Sequence, residues 1–452
     1  MQTSPELQNR RVSRRAGPAQ PATESTRYGG LDALRALAVM GGVLLHACVA
    51  YMPSRMPDLL WPVHDAHPTV VCHLIFWWLH CLRLPVFFVI SGFFAEMMCQ
   101  SRGADVFLKN RIQRIAIPYH ILLVTLMPLT LAIWIGGLWL NDRVTLEAFF
   151  SFSKPVAAEI RNHFFGPGHL WFLADLTIIS VTFGLIRREF PARPDAPPAA
   201  LFRLRWPALA PVYLAGPSLM LLWGNTSPFV VHNNTFVPDT ARLAYYGLYF
   251  FAGVVAFRRK EQAFELLKYP FTHLSLSLVA VIAMFATLPD ALAGRATLLN
   301  RLFLSASVAL VAWLSVFGLM AIFLNQWKSD RPAFRYLADA SYWVYIIHLP
   351  LVGMSHIALQ QAPIGAFTKF LLTALITLSV AVMSYQTCVR YTFIGRALNG
   401  PRTRKGEAAR EPAVARHADH PVAIELPAPD DALVPAIVHA EMPTSRSDRK
   451  AA

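Results

Sequence analysis

The chain has 452 residues, of which 55% are hydrophobic and only 15% charged, and its mean hydropathy is +0.41. That balance excludes an ordinary soluble globule, so the formal charge of +14 has to be located along the chain before it is read as a nucleic-acid footprint. The five cysteines show no CxxC pairing, so neither a disulfide framework nor a zinc knuckle is suggested.

Residues 1–27 are polar and rich in Arg, Pro and Ser, with no apolar core of the kind a cleavable signal peptide needs; they read as a disordered basic tail. From Tyr28 onward, apolar stretches long enough to cross a bilayer fall at about 31–52, 70–98, 115–138, 169–186, 207–223, 241–257, 271–289, 298–324, 336–358 and 366–388. The sequence therefore predicts an all-α, polytopic membrane bundle of about ten transmembrane helices over residues 28–398. Residues 399–452 carry Pro, Ala, Arg and Glu without apolar periodicity and read as a disordered tail with no catalytic role. Two connecting loops on the outward side, 52–69 and 138–168, exceed simple connectors; the second carries His163, and the loop 189–206 is Pro-rich and extended.

Placing the N-terminus in the cytoplasm puts 31 of the 41 Lys and Arg on that side and eight on the other. Positive charge is retained in cytoplasmic loops, so this asymmetry predicts that both termini are cytoplasmic and accounts for the net charge without nucleic acid. Two arginines, Arg35 and Arg83, remain inside the bilayer.

Arg35, together with His46 in the same span, is the first place to look for chemistry, because ionisable groups in spanning helices face a bundle interior and mark a pathway or a reaction site. Arg35 and His46 are eleven residues apart, which at 100° per residue returns to within about 20° of one face and separates them by roughly 16 Å along the axis. An imidazole suits the removal of a hydroxyl proton at neutral pH, so His46 is a candidate general base. The alternatives are a packing hydrogen bond for His46 and a local ion pair with Asp32 for Arg35. Arg83 lies near the middle of the second span, where a guanidinium costs about 2.5 kcal/mol or more to insert. It needs an anion, either a donor carboxylate or oxyanion or a structural partner such as Asp175. Arg111 and Arg114, at i and i+3 where the third span begins, suit phosphate contact, with plain topological charge as the alternative. His169, Tyr345, His348 and Asp175 sit where an acceptor would approach. His64, His67, His73 and His80 lack the spacing and carboxylates of a metal site, so no metal and no permanently bound cofactor is expected.

Five islands in order carry a resemblance. They are Leu31-Asp32-Ala33-Leu34-Arg35-Ala36-Leu37 followed by His46; Leu82-Arg83-Leu84-Pro85-Val86-Phe87-Phe88-Val89-Ile90-Ser91-Gly92-Phe93; Arg111-Ile112-Gln113-Arg114-Ile115-Ala116-Ile117-Pro118; His169-Leu170-Trp171-Phe172-Leu173; and Ala340-Ser341-Tyr342-Trp343-Val344-Tyr345-Ile346-Ile347-His348-Leu349-Pro350. Together they resemble the acyltransferase 3 family of membrane O-acyltransferases, and His80 with Arg83 ahead of Phe-Phe-Val-Ile-Ser-Gly resembles the branch associated with succinylating periplasmic glucans.

The resemblance implies a multi-pass enzyme of the bacterial inner membrane that takes succinyl or acetyl from an acyl-CoA donor in the cytoplasm to a carbohydrate hydroxyl outside, alongside glucan-synthesis machinery. It gives His46 and Arg35 catalytic roles and makes Arg83, Arg111 and Arg114 the donor-binding set. One departure is that Leu176 and Thr177, after Asp175, stand where O-acetyltransferase relatives carry a Glu pair. The rival reading is a transporter or flippase using the same buried Arg/His route. A non-catalytic membrane partner is a third.

Overall fold

The computed structural model describes residues 28–54, 60–143, 166–191, 209–223, 234–325 and 332–400. The predicted tail 1–27 falls outside these, as do all of the predicted tail 399–452 except Asn399 and Gly400, His163 and most of the Pro-rich 189–206 loop.

Among the described residues there are helices and turns but no strand, as a bilayer requires of backbone that must satisfy its own polar groups. Nine helical segments among the described residues have the length and apolarity to span: Gly29–Tyr51, Val70–Arg102, Ala104–Leu140, Gly168–Glu189, Thr240–Arg258, Pro270–Leu292, Leu298–Asn325, Pro332–Leu359 and Ala366–Val389. The tenth predicted span, 207–223, is described as a shorter apolar helix, Ala210–Trp223. The helices are α1 Gly29–Cys48, α2 Val70–Arg102, α3 Ala104–Arg111, α4 Ile117–Leu140, α5 Trp171–Glu189, α6 Ala210–Trp223, α7 Thr240–Arg258, α8 Lys260–Leu266, α9 Pro270–Leu292, α10 Leu298–Asn325, α11 Pro332–Leu359, α12 Ala366–Ser384 and α13 Phe393–Asn399.

Helices in lipid gain nothing from burying apolar surface against one another, so close approach at small residues decides how they pair. Gly92 on α2 and Gly253 on α7 form such a crossing: a Cβ on Gly92 would lie 1.8 Å from the Phe250 carbonyl oxygen, and one on Gly253 would lie 1.9 Å from that of Val89. Gly30 places α1 against α10 in the same way, its added Cβ falling 1.8 Å from the Phe323 carbonyl oxygen. Helix α1 is thereby held centrally, packed on α2, α10, α11 and α12.

Two helices contain π-helical turns, Ile112–Ala116 between α3 and α4 and Tyr385–Val389 after α12. The first joins α3 to α4 without a loop and carries Arg114, with Arg111 immediately before it. Wider turns of this kind leave backbone groups out of the α-helical ladder.

Several of the charges buried in the bundle are paired. Glu96, fully buried on α2, receives Arg187 of α5 at 3.1 Å and Arg258 of α7 at 2.8 Å. At the other end of the bundle Lys369 Nζ lies 2.8 Å from Asp65 Oδ2, joining α12 to the segment that precedes α2.

Candidate active site

One cavity of about 460 Å³ runs between α1, α2, the π-turn, α5 and α11. Eight of the nine side chains singled out in the sequence line it: Arg35, His46, Arg83, Arg111, Arg114, His169, Tyr345 and His348. The ninth, Asp175, does not.

At one end are three guanidinium groups. Arg35 holds Asp32 at 3.1 Å, the local ion pair that its spacing allowed, yet still faces the cavity. Arg111 stacks over the Phe107 ring at 4.9 Å, and its buried Nε has no hydrogen-bond partner. The Arg114 backbone carbonyl, whose α-helical donor would be the missing N–H of Pro118, accepts the Tyr342 hydroxyl at 2.9 Å, which ties this turn to α11. Gly400, with φ +92, brings the chain against Arg114: a Cβ there would lie 2.7 Å from Nη2. Its neighbour Asn399 also lines the cavity and donates to the Asp339 carbonyl at 2.9 Å, so the bundle runs just past residue 398.

Arg83 occupies the middle. A Cβ on Gly42 would lie 3.1 Å from its Nη1, so that glycine leaves room for the guanidinium beside α1. Its Nε is buried without a hydrogen-bond partner. The structural pairing with Asp175 is not formed, because Arg242 of α7 takes both carboxylate oxygens, Nε to Oδ2 at 2.7 Å and Nη2 to Oδ1 at 3.2 Å. Both partners are buried, at 3% and 1% exposure. Asp175, expected on the acceptor side, is thus spent on Arg242, whose guanidinium lies 4.7 Å over the ring of Trp171, a cavity-lining residue.

At the far end three imidazoles converge. The His46 and His348 ring centroids are 5.2 Å apart, and those of His169 and His348 are 5.3 Å apart. Two of the three have their tautomers set by backbone carbonyls, which can only accept. His348 Nδ1 lies 2.6 Å from the Tyr345 carbonyl oxygen, so the proton sits on Nδ1 and leaves Nε2 bare. His169 Nε2 lies 2.9 Å from the Ile346 carbonyl oxygen, so its Nδ1 is the bare nitrogen. That carbonyl is free because its α-helical donor would be the N–H of residue 350, a proline inside α11. Tyr345 closes the arrangement by donating its hydroxyl to the His169 carbonyl at 2.6 Å.

No pattern along the chain marks the residue stacked on His46. Trp61 lies parallel to His46, with centroids 6.1 Å apart and planes 3° apart. It is fixed by its own Nε1 donating to His356 Nδ1 at 3.0 Å, and by Arg143 Nη1 donating to its carbonyl at 3.1 Å. His356 Nε2 in turn bonds the Ala47 carbonyl at 3.1 Å, beside His46 on α1. A tryptophan outside any span has no periodicity to reveal such a role.

The site therefore combines cations that suit phosphates, an unmatched central guanidinium that suits a carboxylate or oxyanion, and bare imidazole nitrogens that suit proton removal. Comparison with known proteins matches the acyltransferase-domain family over residues 28–386. Similar proteins include the glucans biosynthesis protein C of Salmonella paratyphi B, Salmonella dublin and Salmonella paratyphi A. Each is 25% identical over 410 residues, covering 84% of this chain and 96% of the relative. No solved structure matches the chain.

Proposed function

The chain belongs to the acyltransferase 3 family of acyl-transferring enzymes, and from that premise we propose that it moves succinyl or acetyl from a cytoplasmic acyl-CoA to a periplasmic glucan or other carbohydrate hydroxyl. The observation that carries this reading is the continuity of one cavity from Arg35, Arg111 and Arg114 to His46, His169 and His348. A coenzyme A thioester has phosphates for the first group, and an alcohol has a proton for the second. The carbohydrate acceptor is supported by the name of the similar proteins, glucans biosynthesis protein C. The cytoplasmic side of the arginine end is supported by the distribution of Lys and Arg in the loops, and the same reading places the protein in the bacterial inner membrane beside glucan-synthesis machinery.

In this mechanism Arg111 and Arg114 hold the donor's phosphates, with Arg35 nearer the membrane interior. The acyl arm extends along the cavity to Arg83, which faces either a carboxylate on the acyl group or the oxygen of the tetrahedral intermediate. His46 removes the proton from the acceptor hydroxyl as its oxygen bonds to the thioester carbon. The C–S bond then breaks and the thiolate takes up the proton. No resident cofactor or metal takes part in these steps.

The test uses purified full chain in detergent with succinyl-CoA or acetyl-CoA and a soluble glucose oligosaccharide. Acyl transfer without two aqueous compartments is expected, and its loss in His46→Ala. A protein that moves carbohydrate between vesicle compartments but releases no coenzyme A thiol would instead be the transporter. Mass spectrometry of periplasmic glycans with and without the intact chain identifies group and acceptor.

A further inference from the structure

A base that becomes a cation inside a membrane protein needs a partner that stabilises the charge; in a Ser-His-Asp arrangement a carboxylate provides it. Among the described residues, no carboxylate bonds to His46, His169, His348 or Arg83. The groups that face His46 are neutral or cationic. They are Arg83 and His80 from α2, His348 from α11, His169 from the turn before α5, and Trp61.

We propose that His348 is the positioning residue of the His46 base, a neutral imidazole doing what a carboxylate does elsewhere. The proposal rests on the reading of His46 as the base. Its grounds are geometric. The proton of His348 is committed to the Tyr345 carbonyl at 2.6 Å, so its Nε2 presents a lone pair. That Nε2 is buried without a partner, and so is His46 Nδ1. The two rings are 5.2 Å apart and tilted by 40°, and rings at that separation turned nitrogen to nitrogen meet at hydrogen-bond length, about 3 Å. Catalytic hydrogen bonds are commonly loose until substrate is bound.

When one nitrogen of His46 takes the hydroxyl proton, the N–H on its other nitrogen donates to His348 Nε2. The dipole of His348, anchored on the Tyr345 carbonyl, then spreads the positive charge away from Arg83. The proton taken from the alcohol leaves on the coenzyme A thiol, and His348 neither gains nor loses one over the cycle.

The experiment measures kcat, KM and the pH dependence of kcat for wild type, His46→Ala, His348→Ala and His348→Asp. It uses purified full-length protein in detergent with succinyl-CoA or acetyl-CoA and a glucose oligosaccharide, and size exclusion confirms folding. His348→Ala is expected to lower kcat at least tenfold with both KM values within about threefold of wild type. His348→Asp is expected to recover part of that loss and to move the acid limb of the kcat profile to higher pH, because a carboxylate favours protonated His46 more than an imidazole does. A purely structural His348 would make Asp, a buried charge, worse than Ala and leave the limb unmoved; that result overturns the proposal. So does a His348→Ala kcat within twofold of wild type while His46→Ala is inactive. Full activity in His46→Ala overturns the base assignment itself, and the proposal with it.

Discussion

His169 donates its Nε2 proton to the carbonyl oxygen of Ile346 at 2.9 Å, filling the hydrogen bond that Pro350, four residues on, removes from helix α11. A hydrogen bond missing from the helix and the tautomer of a cavity-lining histidine thus have one cause. Pro350→Ala returns a backbone N–H that competes for this carbonyl. The expected outcome is an unchanged or higher melting temperature and a kcat lowered by up to about tenfold, the worth of one hydrogen bond. Parallel thermal unfolding and steady-state kinetics check it, and an unchanged kcat would detach His169 from turnover.

Arg111 and Arg114 differ from surface charges in lining the cavity. If they bind donor phosphates, Arg111→Ala and Arg114→Ala each raise KM for acyl-CoA by about 10- to 100-fold, the range for a hydrogen bond to a charged group. A short acyl thioester without phosphates is the control. Its KM is expected to stay the same in both variants, and an equal rise for the two donors would assign the arginines to folding.

Arg83 has an unpartnered Nε and no carboxylate paired with it among the described residues. On the reading that it receives a dicarboxylic acyl group, Arg83→Met lowers the succinyl-CoA to acetyl-CoA preference by about tenfold or more. Competition between the two donors, analysed by mass spectrometry of the product, measures this. Equal use of both by wild type and variant would leave the oxyanion role alone.

Asp65 supplies a pH-dependent contribution outside the spans. Burial pushes its carboxyl up, but the Lys369 ammonium and the His67 backbone N–H pull it down further, and the net position lies below the ordinary carboxylate value. A depressed folded-state pKa stabilises the fold fully above the unfolded value, about 3.9, and is lost as pH falls through the folded one. Melting temperature is therefore expected to fall as pH drops below about 4. Asp65→Asn should flatten that part of the curve, and an identical acid limb in the variant would point to other carboxylates.

The Gly92–Gly253 crossing leaves no room for a methyl group, because the obstacle on each side is backbone rather than a movable side chain. Gly92→Ala is expected to cost about 1–3 kcal/mol, the range for overpacking, and to lower the yield of folded protein. Gly216→Ala, where an added Cβ meets nothing within 4 Å, should be near wild type. Detergent thermal unfolding compares the two.

Much of this was legible along the chain. Arg35 and His46 could be placed on one face because 100° per residue is a property of a single helix, and Arg83 stood out because a charge in mid-span is rare. Arg111 and Arg114 were found by the same one-helix logic, although the π-turn through Ile112–Ala116 changed the backbone beneath them. Asp175 marks where this reasoning stops. Its depth allowed a pairing with Arg83, and only the packing of α5 on α7 gave it to Arg242 instead.

The residues and their depths were settled by the sequence, since bilayer thickness fixes span length and the cost of a buried charge makes each Arg and His conspicuous. Rotation of each helix about its axis was not, because spanning helices are apolar on nearly every face and backbone contacts such as Gly92 against Phe250 choose the facing side. The tertiary structure alone therefore decided that three histidines share one end of a cavity, that Trp61 caps His46, and that two backbone carbonyls fix which ring nitrogens are free to act.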